Sequence, residues 1–415
     1  MTVVFLWTWL TALPRGMLAC FFMLLVCGLH AGCQDDELLS LYSECDGGLV
    51  FADPGLVASV KYAAHLPESE CLGPEDVAGL RELRAVQLVR DLRGVEQLWN
   101  LRKLYLNGGS VSDVSPVSSL AKLEELDLGS NDVSDVSPLT SLGKLRLLDI
   151  AGNPVRDFSP LAEVKTLRIL DLSGPVEDPK QIGALVFLNQ LRIGDADLGD
   201  GTSLTGLVHL GLLALTYCEV TNLQWMSKLP LLNDLALNYV DDLESLSGLE
   251  SVAHLHRFAL SSTSVADLTP LSGLAELWYL DVSSTPVGPG ALATISTMHL
   301  DYLDVSYCGI EDLELLAGMH SLDELYAVGN NIRDLQPLAK MSGLEHADLY
   351  ENRIEDLGPL VPDEACPSLE DLDVRENPLL DCDSQYLNAK KILAKGVKLH
   401  SDCPYWIIPS PYRPR

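Results

Sequence analysis

The side chains that could do chemistry are few, and their spacing assembles no reaction centre. His254 and His256 stand two apart, but a lone histidine pair on one strand makes a weak metal site. Asp195-Ala196-Asp197, with Asp200 and Gly201, has the carboxylate density of a calcium loop but lacks the closing bidentate glutamate at the right spacing. Cys218 and Cys308 look at first like reactive thiols. No HExxH, no GxSxG, no phosphate-binding loop and no dinucleotide fingerprint is present. The sequence therefore reads as non-enzymatic, with no cofactor and no metal.

The elements that position these side chains follow from one recurring phrase: apolar, two variable residues, apolar, one variable, apolar. It opens at Leu101, Leu123, Leu145, Leu167, Leu188, Leu210, Leu232, Leu255, Leu277, Leu300, Leu322, Leu344 and Leu369, and eight of the twelve steps are 22 residues long. A fixed period of this size means a stacked solenoid, in which each unit contacts only its neighbours. In Leu123-x-x-Leu126-x-Leu128-x-x-Asn131 the alternation of Leu126 and Leu128 with Asp127 and Gly129 is that of a half-buried strand. Asn131 ends the strand, where its amide can bond backbone of the turn and of the adjacent unit. The same slot holds Asn153, Asn330, Asn352, Asn377, Thr263 and Thr285, and also Cys218 and Cys308, which reads those two thiols as small buried ladder residues. Each unit's second half runs Val111-Ser112-Asp113-Val114-Ser115-Pro116 or similar; serine or threonine before proline predicts the N-cap of a short convex turn. The stretches after Asp171, Asp195 and Asp281 depart from this and predict different convex turns.

The residue between the second and third apolar positions forms one column facing the concavity. It reads Tyr105, Asp127, Asp149, Asp171, Arg192, Ala214, Ala236, Ala259, Asp281, Asp304, Tyr326, Asp348, Asp373. Adjacent strands lie about 4.8 Å apart, so Asp127, Asp149 and Asp171 form a like-charge ladder that costs stability unless a cation, water or a basic ligand offsets it. Tyr217, Tyr239, Tyr279, Tyr302, Tyr307, Tyr326 and Tyr350 are all expected at concave columns. Together with Asp281, Asp304 and Asp348 they predict a docking patch, because exposed tyrosine gives large contact area with a polar tip.

The ends differ from the middle. Residues 1–32 hold no Asp or Glu, one Arg (Arg15) and an apolar run from Met17 to Leu29, which predicts an export segment. Residues 33–79 read as a linker and helical cap, 80–380 as repeats and 381–415 as a C-terminal cap and tail. Asp53-Pro54-Gly55 predicts a capped helix, and Leu83, Val86 and Leu88 predict an atypical first strand. Cys45 with Cys71 and Cys382 with Cys403 flank the two cap segments, the placement of cap disulfides in an oxidising compartment; Cys366 is left over.

Acidic residues outnumber basic ones 59 to 28, for a net charge of −31. With no basic patch, nucleic acid is excluded as a ligand and a basic protein partner is favoured.

Two resemblances follow from these residues. Ala31-Gly32-Cys33 resembles the bacterial lipoprotein processing site, which implies lipidation of Cys33; simple cleavage for secretion and an uncleaved anchor are the alternatives. The 22-residue unit with its Asn and Ser-Pro positions, preceded by Phe51-x-Asp53-x-x-Leu56 and Glu75-Asp76-x-x-x-Leu80, resembles the internalin class of bacterial leucine-rich repeat proteins. That resemblance implies an α/β solenoid: an arc with a concave parallel β-sheet, short 3-10 or helical turns on its convex side, and a cap at each end. It also implies binding of a partner protein through the concave face; the export segment and Cys33 place the expected monomer in the cell envelope, lipid-anchored or secreted. The alternative is an acidic, cation-binding structural protein of the envelope.

Overall fold

In the computed structural model, residues 48–407 are described. Each frame becomes one coil. Its strand is three residues long at Glu125–Asp127 and five at Leu212–Thr216. Fifteen such strands make one parallel sheet that runs from Glu82–Arg84 to Lys398–His400. Register is residue for residue: Leu126 opposes Leu148, and Leu280 opposes Leu303. All four are fully buried. At roughly 1.5–3 kcal/mol per buried leucine, the stack is stabilised by side chains that no single coil could cover. The leucine-rich repeat arc is the fold observed.

Two polar devices hold the coils. The first is the asparagine ladder. Asn153, buried, accepts from Val133 N–H of the preceding coil at 2.9 Å and donates to Leu128 O at 2.8 Å and Ile150 O at 3.1 Å. The second corrects the capping expectation. The convex 3-10 turns Ser115–Ser119, Ser137–Ser141 and Ser159–Glu163 begin at serine, but the acceptor is the aspartate two residues earlier. Asp113, Asp135 and Asp157 each take the amide of the serine at 2.8–2.9 Å. Those hydrogen bonds hold the three carboxyls below the usual carboxylate range. A carboxylate is the stronger acceptor, so it takes the first free amide of the turn.

The irregular coils do carry different turns. Asp197–Gly199 pairs with Glu219–Val220 in a separate two-stranded sheet, and Pro289–Ile295 is a true α-helix where other coils have a 3-10 turn.

At the N-terminal end, helix Pro54–Ala63 starts at Asp53, which accepts from Leu56 N–H. The other carboxylate oxygen of Asp53 takes Arg90 N–H at 2.8 Å, and Ser59 Oγ takes Val86 N–H at 3.0 Å. These bonds draw the chain away from the sheet after Arg84, so Val86 and Leu88 are exposed rather than part of the first strand. At the other end the sheet continues past the last leucine frame. Lys398–His400 pairs with Asp371–Asp373 after the helix Tyr386–Ala394. Cys382 is bonded to Cys403, their Cα atoms 5.6 Å apart, and the buried Trp406 donates its indole N–H to Cys382 O at 3.0 Å. Cys71 is also disulfide-bonded. Cys33 and Cys45 lie outside the described residues, as does the export segment. No described helix is long and apolar enough to cross a membrane.

Candidate partner-binding face

The tyrosines expected on one face divide into two groups. Tyr279 and Tyr302 occupy the first position of adjacent strands, and Tyr326 the third position of the next. Their rings form one run: Tyr279 and Tyr302 stack at 4.2 Å and 11°, and Tyr326 tilts against Tyr302 at 5.2 Å. Register aligns Tyr279 with Tyr302, because parallel strands pair equivalent residues, whereas Tyr326 pairs with Asp304 and meets the Tyr302 ring diagonally. All three are half-buried, and burial raises the phenol pKa of each.

Tyr217, Tyr239 and Tyr307 do not stand on the sheet. They follow the strands in left-handed backbone, with φ of 57°, 55° and 57°. Period-two alternation ends with the strand, and these tyrosines stand three residues past the column position, where left-handed backbone has redirected the side chain. The three lie at the rim, exposed, with Tyr217 and Tyr239 stacked at 4.6 Å. Tyr307 lies across Gly329 and reaches Glu351 at 3.5 Å. Tyr350 stands two residues past Asp348, under the Arg375 guanidinium at 5.7 Å.

Three residues of this face escaped the sequence reading. Arg257 sits over Tyr279 at 4.2 Å, faces Asp234 at 3.7 Å, and lies 5.6 Å from Trp278. Trp278 meets Tyr279 edge-on at 6.1 Å. Glu324 accepts from the Tyr326 hydroxyl at 3.1 Å. Arg257 stands one coil before Tyr279, a signal present in the repeat register itself.

The aspartate column is engaged along its whole length. Asp127, Asp149, Asp171, Asp281, Asp304, Asp348 and Asp373 each accept the amide two residues on, at 2.8–3.0 Å. Each carboxylate thus closes the turn that follows its strand. Burial pushes Asp149 up to about 6, and the neighbouring Asp171 and Asp127 add to the shift. Burial likewise raises Asp304 and Asp348, each with like charges beside it. Arg192 approaches Asp171 at 4.0 Å, and Arg375 pairs with Asp373. Among the described residues Asp281, Asp304 and Asp348 make no ion pair.

The other chemistry-bearing residues are placed as follows. His254 and His256 both face Glu276, at 3.1 and 3.2 Å, on the exposed surface. Among the described residues no group of three or more His, Cys, Asp or Glu is disposed to hold a metal ion. Asp197 and Asp200 each accept a backbone amide two residues on, from Gly199 and Thr202. Cys218 and Cys308 sit in the ladder slot with their thiols toward Ile193 O and Val282 O, and burial raises both. Cys366 is buried and pushed up to about 11. The hollow beside helix Pro289–Ile295, about 430 Å³, is walled by Val287, Leu292, Ile310 and Leu315, with Glu311 and Asp312 at its edge.

Comparison with known proteins agrees with this architecture. The family model described as Leucine Rich repeats (2 copies) matches residues 121–163. No curated protein matches the sequence. An internalin (InlF) from Listeria monocytogenes is similar in structure, with a TM-score of 0.62 at 23% identity over 78% of this chain and 96% of that one. A leucine-rich repeat protein of Leptospira interrogans has a TM-score of 0.53 at 17% identity over 88% and 98%. The functional domain of Listeria monocytogenes InlJ, which includes a cysteine ladder, has a TM-score of 0.50 at 19% identity over 78% and 80%. At these identities the likeness is one of fold.

Proposed function

Because the chain is a leucine-rich repeat protein of internalin-like fold, we propose that it is a non-enzymatic binding solenoid whose concave face takes a partner protein. The observation that carries this reading is the run of Tyr279, Tyr302 and Tyr326 on a rigid sheet, bordered by Asp281, Asp304 and Asp348. Half-buried, stacked tyrosines offer contact area at little further entropic cost, because their rotamers are already held. The exposed Tyr217, Tyr239 and Tyr307, with the half-buried Tyr350, extend the contact over the rim. The alternative, a cation-binding structural role, draws less support: the column aspartates serve the backbone, and those hydrogen bonds already use part of their acceptor capacity.

The protein is proposed to act as a monomer in the cell envelope, tethered through a lipid on Cys33 or secreted. The disulfides at Cys71 and at Cys382–Cys403 suit such an oxidising compartment. Mass analysis of the natural N-terminus distinguishes lipid from simple cleavage.

The test is affinity capture with the wild-type chain beside the triple variant Tyr279→Ala, Tyr302→Ala, Tyr326→Ala. The triple variant is expected to lose the proteins that the wild type enriches. Recovery of the same set by both refutes the concave face as the docking surface.

A further inference from the structure

The tyrosine run has two ends, and only one of them is closed by a cation. At the first end the Arg257 guanidinium lies 4.2 Å from the Tyr279 ring centroid and faces Asp234 of the preceding coil at 3.7 Å. At the second end Tyr326 meets the Tyr302 ring, and no Lys or Arg stands over it among the described residues; His346 holds the first position of the next strand. Register places Tyr326 between Asp304 and Asp348 in the third position of three adjacent strands. At the first end the Asp234 carboxylate lies two strands from the ring with the guanidinium between them; at the second a carboxylate stands on each strand beside Tyr326 and no guanidinium accompanies it.

We infer that Tyr326, with Asp304 and Asp348, is the seat of an arginine side chain supplied by the partner protein. This deepens the concave-face reading and rests on it. Charge complementarity selects the occupant. The strands that carry Asp304 and Asp348 are about 9.6 Å apart, two strand spacings, and neither carboxylate makes an ion pair among the described residues. Burial of both, with like charges beside each, makes the arrangement costly, and Arg375 offsets that cost only in part at Asp348. A guanidinium rather than an ammonium fits, because it is planar, stacks flat on a phenol ring and gives up its hydration more readily. Each carboxylate has already committed one oxygen to a backbone amide, of Ser306 or Tyr350, which leaves its second oxygen for the incoming donor.

The test uses the whole chain and two synthetic peptides of equal charge, one with three arginines spaced by glycine and one with three lysines. The arginine peptide is expected to bind at least about ten-fold more tightly than the lysine peptide at 0.15 M salt, the advantage that a stacked guanidinium holds over a point charge. Tyr326→Leu is expected to abolish that preference and Tyr326→Phe to keep it. The pair Asp304→Asn, Asp348→Asn should weaken the arginine peptide, whereas Asp149→Asn, in the other acidic stretch, should not. Equal affinity for the two peptides, or a preference that survives Tyr326→Leu, overturns the inference and marks the binding as attraction to net charge. If the preference fails while the triple tyrosine variant still loses its captured partner, the concave-face reading stands and only the arginine seat falls. Circular dichroism on each variant confirms that the coils are intact.

Discussion

Asn153→Ala separates the work of the asparagine ladder from that of the leucine core. The substitution removes no apolar area of consequence, so its cost comes from hydrogen bonds alone. Asn153 accepts from Val133 N–H and donates to the carbonyls of Leu128 and Ile150. Leu128 O keeps a second donor in Asn131, at 2.9 Å. Val133 N–H and Ile150 O lose their partners inside the stack. An unsatisfied buried polar group costs about 1–3 kcal/mol, so two of them place the loss at about 2–6 kcal/mol. Thr263→Val supplies the control in the same slot, because the Thr263 hydroxyl is buried without a hydrogen-bond partner. Exchanging it for a methyl should change stability by less than about 0.5 kcal/mol, or raise it. Urea unfolding followed by circular dichroism gives both midpoints. Because neighbouring coils couple only pairwise, hydrogen exchange at Val133 and the amides around it shows whether the loss is local. An unchanged midpoint for Asn153→Ala, or an equal loss for Thr263→Val, refutes the assignment of coil cohesion to this ladder.

Three further outcomes follow from the same geometry. Asp149 has its folded pKa raised to about 6, so its contribution is fully present below the unfolded value near 4 and is lost as pH rises through about 6. Asp149→Asn should therefore raise the melting temperature at pH 8 and leave it unchanged below about pH 4, and the reverse pattern in thermal melts refutes the shift. Gly329→Ala places a Cβ 2.1 Å from the Tyr307 ring at a position with φ of +64°, so it should cost about 1 kcal/mol and swing Tyr307 off the rim. Faster iodination of Tyr307 in that variant, read by mass spectrometry, checks the movement. Paired Cys382→Ser and Cys403→Ser, which open a link of sequence separation 21, should cost about 3 kcal/mol and expose the C-terminal cap to proteolysis before the rest of the arc.

The leucine frame was legible because one period carries both burial and register: Leu126, Leu148, Leu280 and Leu303 fall where the spacing puts them. The ladder slot was legible for the same reason, including its reading of Cys218 as buried; Cys308 holds the slot but is half-buried. What the frame could not carry was direction beyond the strand. Tyr217, Tyr239 and Tyr307 share a slot with Ser130 and Glu351, a left-handed position that alternation does not foresee. The turn caps were misassigned because Asp113 and Ser115 both cap well in isolation, and only the local fold decides which is the acceptor. Val86 and Leu88 have strand-forming side chains, but the backbone partners of Ser59 and Asp53 are fixed by a helix some thirty residues upstream. The closing strand Lys398–His400 lacks the leucine phrase and is held by its disulfide-bonded flank.

Each regular coil spends two aspartates on its own geometry, one closing the turn after the strand and one opening the convex turn. Negative charge is thus built in by the architecture and grows in proportion to the number of coils, as in a semi-rigid polyelectrolyte. Dilute electrolyte should stiffen such an arc and brine relax it, so the curvature that a partner meets depends on ionic strength even where no contact residue changes.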